Sequence, residues 1–434
     1  MQYNNSMMTI AQLYKLYLEH PYVETDTRRL REGCLFFALS GANFNGNTFA
    51  SQALEKGAAY AIIDDRAFET GERCIVVDNV LSTLQHLARY HRLQLNIPFL
   101  AITGSNGKTT TKELIAAVLR KKFVTYATEG NLNNHIGVPL TILKIGQDAQ
   151  MAIIEMGANH QKEIEGYCEI AMPDYGLITN CGKAHIEGFG GIEGVRKGKG
   201  ELYDYLKAND GRIFRNTDLD YLKDMAGGIK NEITYGSNNA DYTGTPVMKG
   251  VFLGVRMANK YEGTEIDTHL VGDYNFPNAM AAIAVGLHFG TTIKDIQQAL
   301  AEYNPDNSRS QWLQKGSNHI ILDAYNANPT SMRAAITNFA KTDLPSKLLW
   351  IGGMKEMGTD ELKEHRELVE FIQQYTWAQV VFVGKEFNGI SQGYLWFENS
   401  ADAANYIKVH HPENSAILIK GSRGSKMEVL LEAL

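Results

Sequence analysis

Short apolar runs of strand length alternate with amphipathic segments along most of the chain. PFLAIT (98–103), QMAIIEM (150–156), YGLITN (175–180), HIILDAY (319–325) and SAILIKG (415–421) are typical of these runs. Each run is bounded by Gly, Asn or Asp, and in the stretches between the runs apolar residues recur at helical spacing. Such alternation predicts parallel sheets covered by helices, and so an α/β fold.

Breaks in this pattern predict three domains in 434 residues. The Asn-Ile-Pro break at 96–98 ends a small N-terminal α/β domain, which we place at residues 1–96. Residues 97–306 are predicted to form a central parallel-sheet domain. A third alternating series begins after residue 306, and we expect residues 307–434 to form a smaller, Rossmann-like doubly wound domain.

Composition excludes several classes of protein. The net charge of −7 argues against a nucleic-acid binder, whose phosphate contacts need a basic face. The 4 cysteines are far apart, which is not typical of a disulfide framework or a zinc site. No signal peptide or membrane-spanning run is recognised, so we expect a cytoplasmic protein without membrane insertion.

The most informative segment is TGSNGKTTTKE (103–113), which a strand enters and a helix leaves. This is the context of a phosphate-binding loop, or P-loop, in which backbone N–H groups at a helix start face an anion. The loop departs from the full G-x-x-x-x-G-K-[ST] pattern because Ile102 stands in place of the first glycine. A plain glycine-rich turn before a helix is the alternative interpretation. The predicted nucleotide-binding residues are Gly104, Ser105, Asn106, Gly107, Lys108, Thr109 and Thr110.

A site for Mg²⁺ and ATP needs hard oxygen ligands, which should lie near the carboxyl ends of the sheet strands. The hydroxyl of Thr109 is one candidate, and Glu155 ends a predicted strand, although a solvated strand-end glutamate is the alternative for it. His185 follows another strand and could equally be a surface or capping histidine. Lys199 lies in a basic run that would otherwise be the solvated start of a helix.

Several longer strings are similar to those of the Mur ligases of peptidoglycan synthesis. Within that family they most resemble the members that add D-alanyl-D-alanine to UDP-N-acetylmuramoyl-tripeptide. The similarity follows the chain in order, and its strings are TDTRRLREGCLFFALSGANFNG, TGSNGKTTTKE, GNLNNHIGVPLT, EMGANHQKEI, TNCGKAHIEGFGGIEGVRKGKGEL, GDYNFPNAMAAIAV, DAYNANPTSMRAA and KGSRGSKMEVL.

The resemblance implies an ATP-dependent amide ligation in cell-wall precursor synthesis. The tripeptide carboxylate would attack ATP to give an acyl phosphate, which the amine of D-alanyl-D-alanine would then capture. The resemblance also implies two Mg²⁺ ions, a UDP-sugar site in the N-terminal domain, a C-terminal domain that closes over the site, and a CO₂-carbamylated Lys199. We expect a monomer.

The resemblance further assigns roles by position. Lys108, His185 and Lys199 are the expected catalytic residues, and Thr109, Glu155, His185 and Lys199 surround the metal. The nucleotide would also meet Asn275, Asn278, Arg309 and Asp323. The expected substrate-binding residues are Thr27, Arg28, Ser40, Gly41, Asn131, Asn133, Asn134, His135, Asn326, Asn328, Lys420, Ser422 and Arg423.

Other interpretations remain open from the sequence. A sibling ligase that adds a single amino acid, or a folylpolyglutamate synthase, would share most of these motifs. A P-loop switch or transport ATPase would hydrolyse ATP without an acceptor amine, and a silent nucleotide-binding module would lack turnover. The alternative for Asn275 and Asn278 is a polar helix start, for Arg309 a solvated surface position, and for Asp323 a loop-capping carboxylate. A hydrogen-bonded loop is the alternative for Asn131, Asn133, Asn134 and His135, and a structural turn is the alternative for Asn326 and Asn328.

Overall fold

The computed structural model describes residues 8–306 and 308–434. Its α-helices are α1 (Ile10–Glu19), α2 (Ala50–Glu55), α3 (Val80–Gln94), α4 (Lys108–Leu119), α5 (Gly137–Leu143), α6 (Glu163–Ala171), α7 (Ile186–Phe189), α8 (Ile192–Ala208), α9 (Asp220–Met225), α10 (Phe276–His288), α11 (Ile293–Glu302), α12 (Pro329–Lys341), α13 (Glu361–Ile372), α14 (Ser400–Val409) and α15 (Val429–Glu432).

The strands are as short as the apolar runs of the sequence. They are β1 (Val23–Glu24), β2 (Leu35–Phe37), β3 (Ser40–Gly41), β4 (Phe44–Asn45), β5 (Tyr60–Ile63), β6 (Cys74–Val76), β7 (Phe99–Thr103), β8 (Thr125–Ala127), β9 (Met151–Glu155), β10 (Tyr175–Ile178), β11 (Arg212–Asn216), β12 (Glu232–Gly236), β13 (Tyr242–Lys249), β14 (Phe252–Met257), β15 (Glu265–Val271), β16 (Gln311–Lys315), β17 (Asn318–Asp323), β18 (Lys347–Gly352), β19 (Gln379–Val383), β20 (Leu395–Phe397) and β21 (Ala416–Lys420).

The described chain forms two compact units. Unit 1 contains the residues up to 102 together with 123–158 and 162–176, and unit 2 contains 103–122, 159–161 and the residues from 177 onwards. The chain passes from one unit to the other within β7 and within β10.

Unit 1 has two sets of parallel strands. One is the sheet β1-β2-β5-β6, and the other is the order β8-β9-β7, in which Ile102 pairs with Glu155. The residues of β9 are buried throughout, as a strand covered on both faces must be. Helices α3, α5 and α6 pack against one another. Their arrangement fixes the position of the loop at 131–135, which leads into α5.

Unit 2 carries two sheets. Strands β11, β12 and β13 pair in parallel, and β14 and β15 continue the order antiparallel. The second sheet has the order β16-β17-β21-β18-β19-β20 and is parallel except for β16. Helix α4 packs on α10 and α11, while α12 and α13 contribute to the core beside the second sheet.

These features confirm the predicted α/β class with parallel sheets, and the four cysteines are free and buried. In α4, the apolar residues Leu114, Ile115, Val118 and Leu119 recur at helical spacing and are all fully buried. The domain boundaries at 96 and 306 stay predictions. Among the described residues, no helix is both long and apolar enough to cross a membrane.

Candidate active site

The P-loop is a turn that only glycine permits at two positions. Strand β7 ends at Thr103 and α4 begins at Lys108, with Gly104 at φ +143° and Gly107 at φ +79° between them. A Cβ on Gly104 would lie 1.9 Å from Oγ1 of Thr179, and one on Gly107 would lie 2.5 Å from Oδ1 of Asn278. The loop is therefore closely packed against Thr179 on one side and Asn278 on the other. An exposed glycine-rich turn would not need such close packing.

Asn106, at the centre of this loop, is held by three residues of unit 2. Its N–H donates to Oδ1 of Asn180 (3.1 Å), and its carbonyl accepts from Oγ1 of Thr179 (2.6 Å). Nδ2 of Asn328 donates to its side-chain oxygen (2.6 Å). Its own Nδ2 is buried without a hydrogen-bond partner among the described residues. An unsatisfied donor of this kind fits a ligand that carries oxygen acceptors.

Lys108 folds back over the loop that it follows. Its ammonium donates to the carbonyl of Gly104 and, at 3.4 Å, to the carbonyl of Ser105. The first-turn N–H groups of α4 and this ammonium create a positive environment above the loop, which fits phosphate. Thr109 is buried at the start of the helix, and Thr110 is partly exposed.

Asn275 and Asn278 are connected to the P-loop helix through hydrogen bonds. Oγ1 of Thr111 donates to Oδ1 of Asn278 (3.1 Å), and Nδ2 of Asn278 donates to Oδ1 of Asn275 (2.9 Å). Nδ2 of Asn275 donates in turn to the carbonyl of Val271 (2.9 Å). Asn275 is 4% exposed and directly precedes α10, so it lies at a helix start, as the alternative interpretation of this residue also has it.

Lys199 and His185 also lie in unit 2. Lys199 is 1% exposed within α8, with its Nζ 5.0 Å from the centroid of the Phe189 ring, so the solvated interpretation is wrong for it. His185 has φ +54° just before α7, and its Nδ1 contacts a carboxylate oxygen of Glu356. This contact lowers the pKa of Glu356.

Glu155 lies in unit 1 and is 1% exposed, so the solvated strand-end interpretation is wrong for it too. Nδ2 of Asn133 donates to its Oε1 (2.8 Å). Oδ1 of Asn134 accepts from the N–H of Gly137 (2.8 Å) and so shapes the start of α5, while Asn131 is exposed. In the part of the chain that the structure describes, no group of three or more His, Cys, Asp or Glu side chains forms a ready metal site.

The candidate residues of the C-terminal segment are gathered around Asp323 and Tyr325. Nζ of Lys420, 1% exposed, donates to Asp323 (2.5 Å) and to the carbonyl of Asn326 (3.4 Å). The guanidinium groups of Arg309 and Arg423 lie 3.8 and 5.4 Å from the centroid of the Tyr325 ring. Ser422 is buried and its hydroxyl bonds to that of Ser425 (3.0 Å).

The candidate substrate-binding residues of the N-terminal segment are partly or fully exposed. Arg28 is exposed and pairs with Asp26 at 2.7 Å, and its hydrogen bonds lower the pKa of Asp26 to about 2. The carbonyl of Thr27 accepts from Nζ of Lys56 (3.2 Å). Ser40 and Gly41 form the exposed strand β3, where the hydroxyl of Ser40 accepts from the N–H of Gly46 (3.2 Å).

Several residues of this site are absent from the sequence predictions. Thr179 and Asn180 hold the P-loop, and a signal for them existed, because polar residues directly after a buried strand are typical of ligand-facing sheet edges. Tyr325 and Glu356 had no such signal, since their contacts are with residues distant in sequence.

A P-loop between a buried strand and a helix, closed by glycines and neighbouring side chains, defines the class as a nucleotide-binding α/β protein. The families described as the Mur ligase family catalytic domain, the Mur ligase middle domain and the Mur ligase glutamate ligase domain match residues 22–101, 102–286 and 308–423.

Relatives extend the similarity over almost the whole chain. The UDP-N-acetylmuramoyl-tripeptide–D-alanyl-D-alanine ligase of Bacillus subtilis is 33% identical over 99% of this chain and 98% of its own. The structure of MurF from Acinetobacter baumannii has a TM-score of 0.86 and 30% identity over 95% of this chain and 92% of its own. The structure of MurF ligase from Thermotoga maritima in complex with ADP has a TM-score of 0.85 and 25% sequence identity. The match covers 95% of this chain and 96% of that chain.

This chain belongs to the Mur ligase family and is therefore an enzyme of the ligase class. The family resemblance of its motifs is confirmed.

Proposed function

We propose that this enzyme uses ATP to join D-alanyl-D-alanine to UDP-N-acetylmuramoyl-tripeptide. The observation that carries the proposal is the near full-length identity of 33% to a ligase named for that reaction, in a chain whose P-loop has no room for a Cβ at Gly104 or Gly107. The complex of a structural relative with ADP supports the nucleotide. The product belongs to cell-wall precursor synthesis.

The loop would hold the triphosphate, and the Lys108 ammonium would leave the carbonyls of Gly104 and Ser105 to bind the β- and γ-phosphates. A carboxylate oxygen of the tripeptide attacks the γ-phosphorus, and the bond from that phosphorus to the bridging oxygen breaks, releasing ADP. The acyl phosphate now carries a good leaving group. The free amine of D-alanyl-D-alanine attacks the carbonyl carbon, loses a proton and expels phosphate.

Magnesium ions would be held by Thr109, Glu155, His185 and a carbamylated Lys199. When bound, they neutralise the charge that develops on the transferring phosphoryl group. The donor chemistry fits, because a hydroxyl and a carboxylate are oxygen ligands, and both Thr109 and Glu155 are buried. Carbamylation joins the Lys199 amine to CO₂ with loss of a proton, which would turn a buried cation into an oxygen donor. His185 would first have to leave Glu356.

The remaining candidate residues are assigned to substrates. Asn275 and Asn278 would meet the adenine, while Arg309 and Asp323 would reach the phosphates and the ribose. Asn326, Asn328, Lys420, Ser422 and Arg423 would face the dipeptide, whose carboxylate calls for a cationic partner. Thr27, Arg28, Ser40 and Gly41 would hold the uridine, and Asn131, Asn133, Asn134 and His135 the tripeptide. We further propose a cytoplasmic monomer.

The test is phosphate release by the purified enzyme with ATP, UDP-N-acetylmuramoyl-tripeptide and D-alanyl-D-alanine, each omitted in turn. Release should require all three. Release with a free amino acid in place of the dipeptide would instead identify a sibling ligase or a folylpolyglutamate synthase. Release with ATP alone would identify a switch or transport ATPase, and a silent module would release none.

A further inference from the structure

A cavity in unit 1 lies between α3 and α6. Its volume is about 410 Å³, within the range of sites that hold small molecules. Gln85, His86 and Arg89 of α3 form one wall, and Lys162, Glu163 and Glu169 belong to the other, where Lys162 is paired with Glu165 (2.8 Å). The buried side chains of Tyr167 and Ile170 also line it, and His135 stands beside them.

One side chain on each wall, Arg89 and Glu169, offers a charge of opposite sign to a ligand. Among the described residues, neither Arg89 on α3 nor Glu169 on α6 makes an ion pair or a side-chain hydrogen bond. An exposed arginine and an exposed glutamate on facing helices can bind a carboxylate and an ammonium of one ligand together. The cavity thus fits a zwitterion of the amino-acid type better than a simple anion or a simple cation.

The cavity is connected to the candidate active site through the loop at 133–135. His135 lines the cavity, and its carbonyl accepts from Nε2 of Gln85 (3.0 Å). Two residues earlier, Asn133 donates to Glu155 (2.8 Å), and its carbonyl accepts from the N–H of Gly157 (2.8 Å). One short segment therefore borders both the proposed metal ligand Glu155 and the cavity.

We propose that this cavity binds the free end of the side chain of the tripeptide's third residue, and that it favours an end bearing both an ammonium and a carboxylate. The inference rests on the proposed function, in which the third residue carries the reacting carboxylate. Its long side chain would run from Glu155 along the 133–135 loop. Diaminopimelate ends in such a zwitterion, whereas lysine ends in an ammonium alone, so Arg89 is the residue that separates the two.

The experiment compares KM for two UDP-N-acetylmuramoyl-tripeptides, one ending in diaminopimelate and one in lysine, with the full chain, ATP and D-alanyl-D-alanine. The unmodified enzyme should have a KM about fivefold lower for the diaminopimelate substrate. Arg89→Gln should raise that KM about fivefold and leave the lysine KM within about twofold. Glu169→Gln should raise both KM values, because both substrates carry the ammonium.

Arg66→Gln, which removes an exposed arginine elsewhere in unit 1, is the matched control and should change neither KM. The KM for ATP should stay constant in all variants, and calorimetric binding of each tripeptide substrate without ATP should give the same selectivity independently of turnover. Equal KM values in the unmodified enzyme, or an equal effect of Arg89→Gln on both substrates, would overturn the inference. Turnover of neither substrate would instead refute the proposed function itself.

Discussion

Asn328 caps helix α12 and at the same time holds the P-loop. Its Oδ1 accepts from the N–H of Ser331 (3.0 Å), and its Nδ2 donates to Oδ1 of Asn106 (2.6 Å). The side-chain amide of Asn328 thereby connects the start of α12 to the centre of the P-loop. The two residues are 222 positions apart in the sequence.

This double role can be separated by two substitutions. Asn328→Ser keeps a capping oxygen but is too short to reach Asn106, so it should raise the KM for ATP with little loss of stability. Asn328→Ala loses both contacts and should also lower the free energy of unfolding by about 1 kcal/mol. Urea unfolding and ATP titration measure the two effects.

Asn399→Ala is the control, because Asn399 caps α14 in the same way and has no P-loop contact. It should reproduce the stability loss alone. A normal KM for ATP in both Asn328 variants would contradict the coupling between the two loops.

Gly107→Ala should abolish nucleotide binding. The new Cβ would lie 2.5 Å from Oδ1 of Asn278, and φ of +79° is unfavourable for alanine. Gly263→Ala is the matched control, since Gly263 has a similar φ of +83° but open space around its Cβ. It should cost only about 1 kcal/mol of backbone strain and leave ATP affinity unchanged. Similar ATP affinities of the two variants would contradict this description of the loop.

Lys183 and Glu364 form an ion pair in which only the glutamate is buried, so removing the lysine alone should strongly lower stability. The two groups are 2.7 Å apart, and Lys183 is 49% exposed while Glu364 is only 5% exposed. Lys183→Met leaves a buried carboxylate without its partner and should destabilise the protein by about 2 kcal/mol. Adding Glu364→Gln should recover part of that loss.

The same pair has a defined pH dependence. The hydrogen bond to Glu364 raises the pKa of Lys183, so the lysine contribution is complete below its ordinary pKa and is lost only as pH rises through the raised value. The double-mutant coupling measured by urea unfolding should therefore be constant between about pH 6 and 9. A coupling that disappears within this range would contradict the pairing.

His365 should make stability fall in mild acid. Nδ1 donates to the carbonyl of Glu361 (2.7 Å), and Nε2 accepts from the N–H of Met354 (2.9 Å), so the buried ring is neutral. Burial lowers its pKa below the ordinary 6.5. As pH falls, the unfolded chain takes up a proton first, and stability present above about pH 6.5 is progressively lost.

Urea unfolding at pH 7 and pH 5.5 tests this prediction. His365→Gln should flatten the slope, whereas the exposed control His411→Gln should not. Proton NMR of the ring gives the pKa directly, and a value above the ordinary one would contradict the prediction.

Lys199→Ala should reduce ligation sharply without unfolding the protein, because the lost group is a proposed metal ligand. The unmodified enzyme with carbon-13 bicarbonate should show a carbamate NMR signal that the variant lacks. Lys207→Ala, at the exposed end of the same helix, should keep the signal and the activity. A carbamate signal that persists in Lys199→Ala would refute the assignment.

The sequence was sufficient for features that depend on local pattern. Buried strands such as FLAIT and the apolar face of α4 follow from periodicity, and the positions of Gly104, Gly107 and Lys108 follow from the requirements of a phosphate loop. Periodicity could not identify Lys199 as buried, because its neighbours in sequence are charged and glycine residues. Its burial depends on packing around Phe189.

By itself, then, the sequence determined the α/β class, the P-loop and the family, since these are encoded by residues adjacent in the chain. Only the tertiary structure decided which distant side chains meet. Asn328 contacts Asn106, Glu356 contacts His185, and Arg89 shares a cavity with Glu169. Such contacts are set by how helices and strands pack, and no local spacing specifies them.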